Sequence, residues 1–205
     1  MMGMGLGTMT PEAYDALIPK VTGAAKEMKA KGVQGIVLMT SSLTFYKGAE
    51  FNRQVEQSMR DATGLPCITQ STAIVQGLNA FKAKQVAVAT AYGDEINRRL
   101  VTFLKESGFQ VEFIKGLDLV LIDDPAKVTD KELMALCIDV CKSAPNADAL
   151  LISCGGLITL RIHTALEKQF NIPVVSSTPV GLWAGMRMMG LSSRVPGLGR
   201  LTELD

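Results

Sequence analysis

The chain has 205 residues and a formal net charge of +1, with 47% hydrophobic but only 5% aromatic residues. Its length suits one large domain or two small ones, with a core built mainly of Ala, Val, Leu, Ile and Met, as in a soluble α/β protein rather than a disordered chain. Near-neutral charge argues against a nucleic-acid partner. No apolar run reaches the ~18–20 residues of a membrane span, and "MMGMGLGTMT" has neither the basic region nor the apolar core of a signal peptide.

Thr10-Pro11-Glu12 opens a helix with a hydroxyl at the cap and proline at the first position; the pattern carries it to about Lys31, before Gly32. "GIVLMT" (35–40) is a continuous apolar run that suits a strand buried on both faces. A polar amphipathic helix follows over 49–63, stopped by Gly64-Leu65-Pro66, then a short strand at 67–71 and a helix in "TAIVQGLNAFKA". The alternation continues with strands at 85–92 and 110–117, a helix at 93–108 between them, and a helix at 129–143. A strand at 149–154, a helix at 159–170, a strand at 173–179 and a helix in "GLWAGMRMMG" complete it. Strands alternating with helices imply parallel sheets with helices on both faces.

Two phrases occur twice. "GIVLMTSS" at 35–42 resembles "ALLISCGG" at 149–156, and "LPCITQSTA" at 65–73 resembles "IPVVSSTPV" at 172–180. The spacing predicts two pseudo-symmetric α/β lobes facing a cleft: residues 1–84 plus 180–205 in the first, 85–179 in the second.

In open parallel sheets, ligands bind beyond the carboxyl ends of the strands. The residues at those ends are Thr40, Ser41 and Ser42; Tyr92; Cys154, Gly155 and Gly156; and Ser177 and Thr178. Such a set of hydroxyls, one thiol and free N–H groups can hold carboxylate oxygens and move one proton. Gly155 and Gly156 allow close approach to the backbone. If their N–H groups lead toward the next helix they form an anion site, whose positive end draws the Cys154 pKa down from ~8.5 toward working pH. The same stretch also serves a buried structural cysteine followed by a tight turn. Cys137 and Cys141 sit mid-helix among apolar residues and read as core, and Cys67 starts a strand, away from the expected cleft. His163, the one histidine, reads as a surface helix residue, and Asp94 and Glu95 as first-turn acids. With no CxxC pair, a metal site has little support; free thiols suggest a reducing, cytoplasmic setting. "GMGLG" at 3–7 does not match a dinucleotide fingerprint.

Six stretches, "GLGTMTPEAYD", "SSLTFYKGAEFN", "ATGLPCITQSTA", "VAVATAYGDEIN", "LLISCGGLITL" and "PVVSSTPVGLW", together resemble the arylmalonate decarboxylase family of the aspartate/glutamate racemase superfamily. The resemblance implies two Rossmann-like lobes and cofactor-free loss of one carboxylate from a disubstituted malonate, a small dicarboxylate. It implies that Ser41, the backbone at Ser42, Tyr92 and the Gly155 N–H hold the enediolate while Cys154 protonates one face. Leu6, Met9, Leu43 and Ile122 would form an apolar pocket beside the departing carboxylate. It leaves the oligomeric state open, a monomer included.

Three departures qualify the resemblance. The family's first strand and a site-lining loop precede the segment matching "GMGLG", so the sheet is expected to lack an interior strand and the site a wall. Ser41 stands for the usual Thr. Thr40 stands where decarboxylases carry Gly and racemases and maleate isomerases a second Cys, and its side chain is expected to crowd the substrate. One thiol favours decarboxylation over a two-acid racemase or cis–trans isomerase; an inactive carboxylate-binding relative is the reading from another class.

Overall fold

A computed structural model of the chain describes residues 3–204. Helix α1 (Pro11–Leu17) starts as its cap predicts, with Thr10 Oγ1 accepting the Ala13 N–H. The single helix expected up to Lys31 is broken. Ile18–Lys20 forms a 3₁₀ turn, and α2 runs Val21–Ala30. Pro19 accounts for the break, since it has no N–H to give and its ring crowds the carbonyl four residues back.

Strand β1 (Ile36–Leu38) leads into α3 (Ser41–Phe45), a short helix that periodicity does not reveal because all five residues are buried. Helix α4 (Ala49–Thr63) ends at Gly64 in the left-handed conformation. Strand β2 (Cys67–Thr69) follows, then α5 (Gln70–Ala80). Helix α5 begins before its apolar pattern does because Thr69 caps it, Oγ1 accepting the Thr72 N–H at 3.0 Å.

The second half comprises β3 (Gln85–Thr90), α6 (Asp94–Glu106), β4 (Gln110–Gly116) and α7 (Asp130–Ser143), then β5 (Ala149–Ser153) and α8 (His163–Phe170). Strand β6 (Val174–Ser176) and helix α9 (Ser177–Met188) close the order. Thr129 and Glu132 form a reciprocal capping box at the start of α7.

All strand pairings are parallel. β1 pairs with β2 in one sheet, and a second sheet has the order β4-β3-β5-β6. The central strands carry the most continuous apolar runs: "ALLIS" of β5 is buried throughout, as a strand covered on both faces must be.

Helix α9 leaves the second sheet and packs on α5, β1 and β2 of the first half. The approach is close: a Cβ on Gly77 would stand 2.6 Å from Val180. Near the cleft, the amino-terminal stretch bridges to the loop before α7, Met9 N–H donating to Val120 O (2.7 Å) and Ile122 N–H to Gly7 O (3.0 Å). Among the described residues, no helix is long and apolar enough to cross a membrane.

Candidate active site

The carboxyl ends of β1, β3 and β5 converge. Ser41 opens α3 just after β1, Tyr92 lies two residues past β3, and Cys154 follows β5 directly. Ser41 and Tyr92 come from opposite halves, yet their hydroxyls stand 3.2 Å apart. Both residues are almost wholly buried, and Cys154 is 5% exposed. The loop carrying Tyr92 is pinned: its N–H donates to Thr90 Oγ1 (3.2 Å) and its carbonyl accepts from Asn97 Nδ2 (3.2 Å). That carbonyl also lies over Gly116, where a Cβ would come within 1.9 Å, so β4 must present a glycine there.

Burial dominates the electrostatics. It pushes the Cys154 thiol above its ordinary pKa, while the Gly156 and Leu157 N–H groups and the Tyr92 hydroxyl offset part of the shift by favouring the thiolate. This corrects the expected lowering. Helix α8 starts only at His163, so the Gly155 and Gly156 N–H groups do not lead directly into its first turn; the N–H groups that favour the thiolate are those of Gly156 and Leu157 in the intervening turn. Tyr92 is also raised well above the usual phenol value, by burial first and by the nearby Cys154 second. At neutral pH the pair is therefore a protonated thiol beside a protonated phenol.

Ser42 is buried next to Tyr14, a fully buried tyrosine whose pKa burial raises and the Ser42 hydroxyl moderates. Gly155 is exposed, with its Cα side against Gln70 and the Met39 carbonyl. Leu43 is fully buried in α3. Leu6 and Ile122 are half-buried on the two bridged segments, beside buried Met9. Thr40 is half-buried and, with Leu6, Leu38 and Met39, lines an apolar cavity of about 340 Å³ reaching toward α2.

Sequence reading missed several residues. Gln70 Oε1 accepts the Ser41 N–H (2.9 Å), and Ser71 Oγ donates to the Ser41 carbonyl (2.9 Å). These come from the unforeseen early start of α5. Tyr14 belongs to the stretch "GLGTMTPEAYD", but nothing in its spacing points to a cleft. His163 is corrected: it is 2% exposed, its Nε2 lies 2.7 Å from Ser176 Oγ, and burial lowers its pKa to about 4. Cys137 and Cys141 are buried thiols, pushed up to about 12 and about 11. Among the described residues, no three His, Cys, Asp or Glu side chains are grouped so as to hold a metal ion.

The family model described as arylmalonate decarboxylase matches residues 1–202. The chain is 42% identical to the arylmalonate decarboxylase of Bordetella bronchiseptica, over 98% of this chain and 84% of that one. A crystal structure of a double mutant of arylmalonate decarboxylase in its liganded form superposes with a TM-score of 0.95 at 42% identity, covering 97% of this chain and 85% of the other. The maleate cis–trans isomerase of Nocardia farcinica, bound to Tris, superposes with a TM-score of 0.93 at 23% identity, over 98% and 84% of the two chains, a likeness of fold.

Proposed function

Because the chain belongs to the arylmalonate decarboxylase family, we propose that it removes one carboxylate from a disubstituted malonate without a cofactor and protonates the resulting enediolate on one face. The observation that supports this most directly is the meeting of Ser41 and Tyr92 hydroxyls from opposite halves beside a buried, protonated Cys154. One carboxylate sits among the Ser41 and Tyr92 hydroxyls and the N–H groups of Ser42 and Gly155. The other faces the apolar side chains of Leu6, Met9, Leu43 and Ile122, where its charge is poorly solvated.

The bond from the α-carbon to the second carboxylate breaks and CO₂ leaves. Its electron pair moves onto the carboxylate that remains, giving the enediolate, whose charge the four donors hold. Donors fixed in advance stabilise such charge because they need no reorganisation as it develops. The Cys154 Sγ proton then passes to the α-carbon, and solvent reprotonates the thiolate. A thiol kept neutral by burial suits the donor role, because it must hold its proton until the carbanion forms.

The isomerase reading has the fold in its favour, but Thr40 stands at the repeat position of Cys154, so the first half offers no thiol at that position. The direct test is CO₂ release from phenylmalonate and methylphenylmalonate by the purified protein, with maleate as the comparison. Turnover of the malonates and not of maleate is expected; isomerisation of maleate to fumarate without CO₂ release would overturn the assignment.

A further inference from the structure

Ser41 is gripped at both ends of its backbone. Its N–H donates to Gln70 Oε1 at 2.9 Å, and its carbonyl accepts from Ser71 Oγ at 2.9 Å. The other half repeats the arrangement: the Cys154 N–H donates to Ser177 Oγ at 3.1 Å, and the Gly155 carbonyl accepts from Thr178 Oγ1 at 2.9 Å. Gln70-Ser71 and Ser177-Thr178 are the first two residues of α5 and α9, each directly after β2 or β6. The internal repeat thus extends to the side chains that hold the two site loops.

The repeat is broken at one point. Ser177 is short and reaches Cys154, the counterpart of Thr40. Gln70 is longer and reaches one residue further, to Ser41. Its carboxamide then lies against the opposite lobe, where a Cβ on Gly155 would stand 3.4 Å from Oε1 and 3.5 Å from Nε2. The Ser41 N–H fixes which end of the amide is oxygen. That leaves Nε2, in a fully buried side chain, without a hydrogen-bond partner. A buried donor left unpaired is a cost that an apolar residue of the same size would avoid.

We propose that Gln70 is a positioning residue, which sets the Ser41 backbone in register with Gly155 of the other lobe so that donors from both lobes converge on the same substrate carboxylate. The effect on turnover rests on the decarboxylase reading; the register itself does not. Ser41 Oγ can meet the Tyr92 hydroxyl only if its backbone is held, and the two hydrogen bonds from the start of α5 do that.

The test uses Gln70→Met, close in volume and without the amide. In ¹H–¹⁵N spectra the amide signals of both Ser41 and Gly155 should shift, and an unmoved Gly155 signal overturns the cross-lobe role whatever the activity. With methylphenylmalonate, kcat should fall about tenfold with KM within about twofold of the parent. In a Ser41→Ala background the same change should cost less than about twofold, because Gln70 acts through Ser41. Full additivity, or an unchanged kcat, overturns the proposal. If Gln70→Met does not fold, Gln70→Leu is read in the same way. A parent protein that releases no CO₂ defeats the functional reading alone, since the spectra still decide on Gln70.

Discussion

At the scale of single residues, the site turns on how burial sets protonation. Cys154 and Tyr92 both have raised pKa values with burial as the first cause, so each holds its proton through neutral pH. For an acid whose protonated form is active, activity is present below the folded pKa and lost as pH rises through it. The alkaline limb of kcat/KM should therefore lie above the ~8.5 of a free thiol, and a pH–rate profile measures it. Cys154→Ser removes the proposed proton donor while keeping the shape and should lower decarboxylation by orders of magnitude; a near-parental rate in the folded variant contradicts the donor role. Tyr92→Phe and Ser41→Ala each delete one of the two hydroxyls proposed to hold the enediolate. Loss of one such donor costs ~10²–10³ in rate, so steady-state kinetics should show kcat falling further than KM rises. An unchanged kcat removes that residue from the oxyanion site.

At the scale of elements, the sequence was most legible where one side chain or one pattern governed the outcome. The start of α1 follows from Thr10-Pro11, the end of α4 from Gly64, and β5 from an unbroken apolar run. It was least legible where tertiary contacts governed: α3 is buried on every side, and α8 starts at His163 rather than 159 because a turn continues past Gly156 to Ile162. His163 shows the same limit. A polar residue in a polar helix reads as surface, yet it is sealed beneath the carboxyl-terminal segment, where Ser176 Oγ joins it to Thr159 of that turn at 2.8 Å. Its folded pKa, about 4, lies below the 6.5 of the free side chain, so its contribution to stability is present above pH 6.5 and is lost as pH falls through 4. Replacing it with a group that does not titrate should flatten the acid limb by up to about 3 kcal/mol. Urea unfolding of His163→Gln and the parent at neutral and acid pH measures this. Equal pH dependence in the two proteins would show that other groups set the limb.

At the scale of the molecule, the parallel sheets and the repeated loop anchors give the two halves an approximate two-fold likeness, in which Thr40 is the repeat counterpart of Cys154. Both follow a strand buried at its end, and both precede a residue whose carbonyl is held by a hydroxyl from the start of α5 or α9, the helix after the neighbouring strand. The repeated phrases made this symmetry readable from the sequence; the grip of Gln70 on Ser41 was not, because it depends on side-chain length at a helix start. The symmetry bears on stereochemistry. In the proposed mechanism a carbanion held between the lobes would receive a proton from Cys154 on one face, while the Thr40 hydroxyl is far too weak an acid to serve the other. The parent protein should therefore leave an enantiopure 2-arylpropionate unracemised. Thr40→Cys should introduce racemisation, since a thiol on each side lets a proton leave one face and return to the other. The change is small in volume, and Thr40 is half-buried beside an apolar cavity, so folding should survive it. Deuterium incorporation and loss of optical rotation in D₂O measure the outcome. Racemisation by the unmodified chain at a rate comparable with its decarboxylation would show that a second acid reaches the far face, and that the one-thiol account of the cleft is wrong.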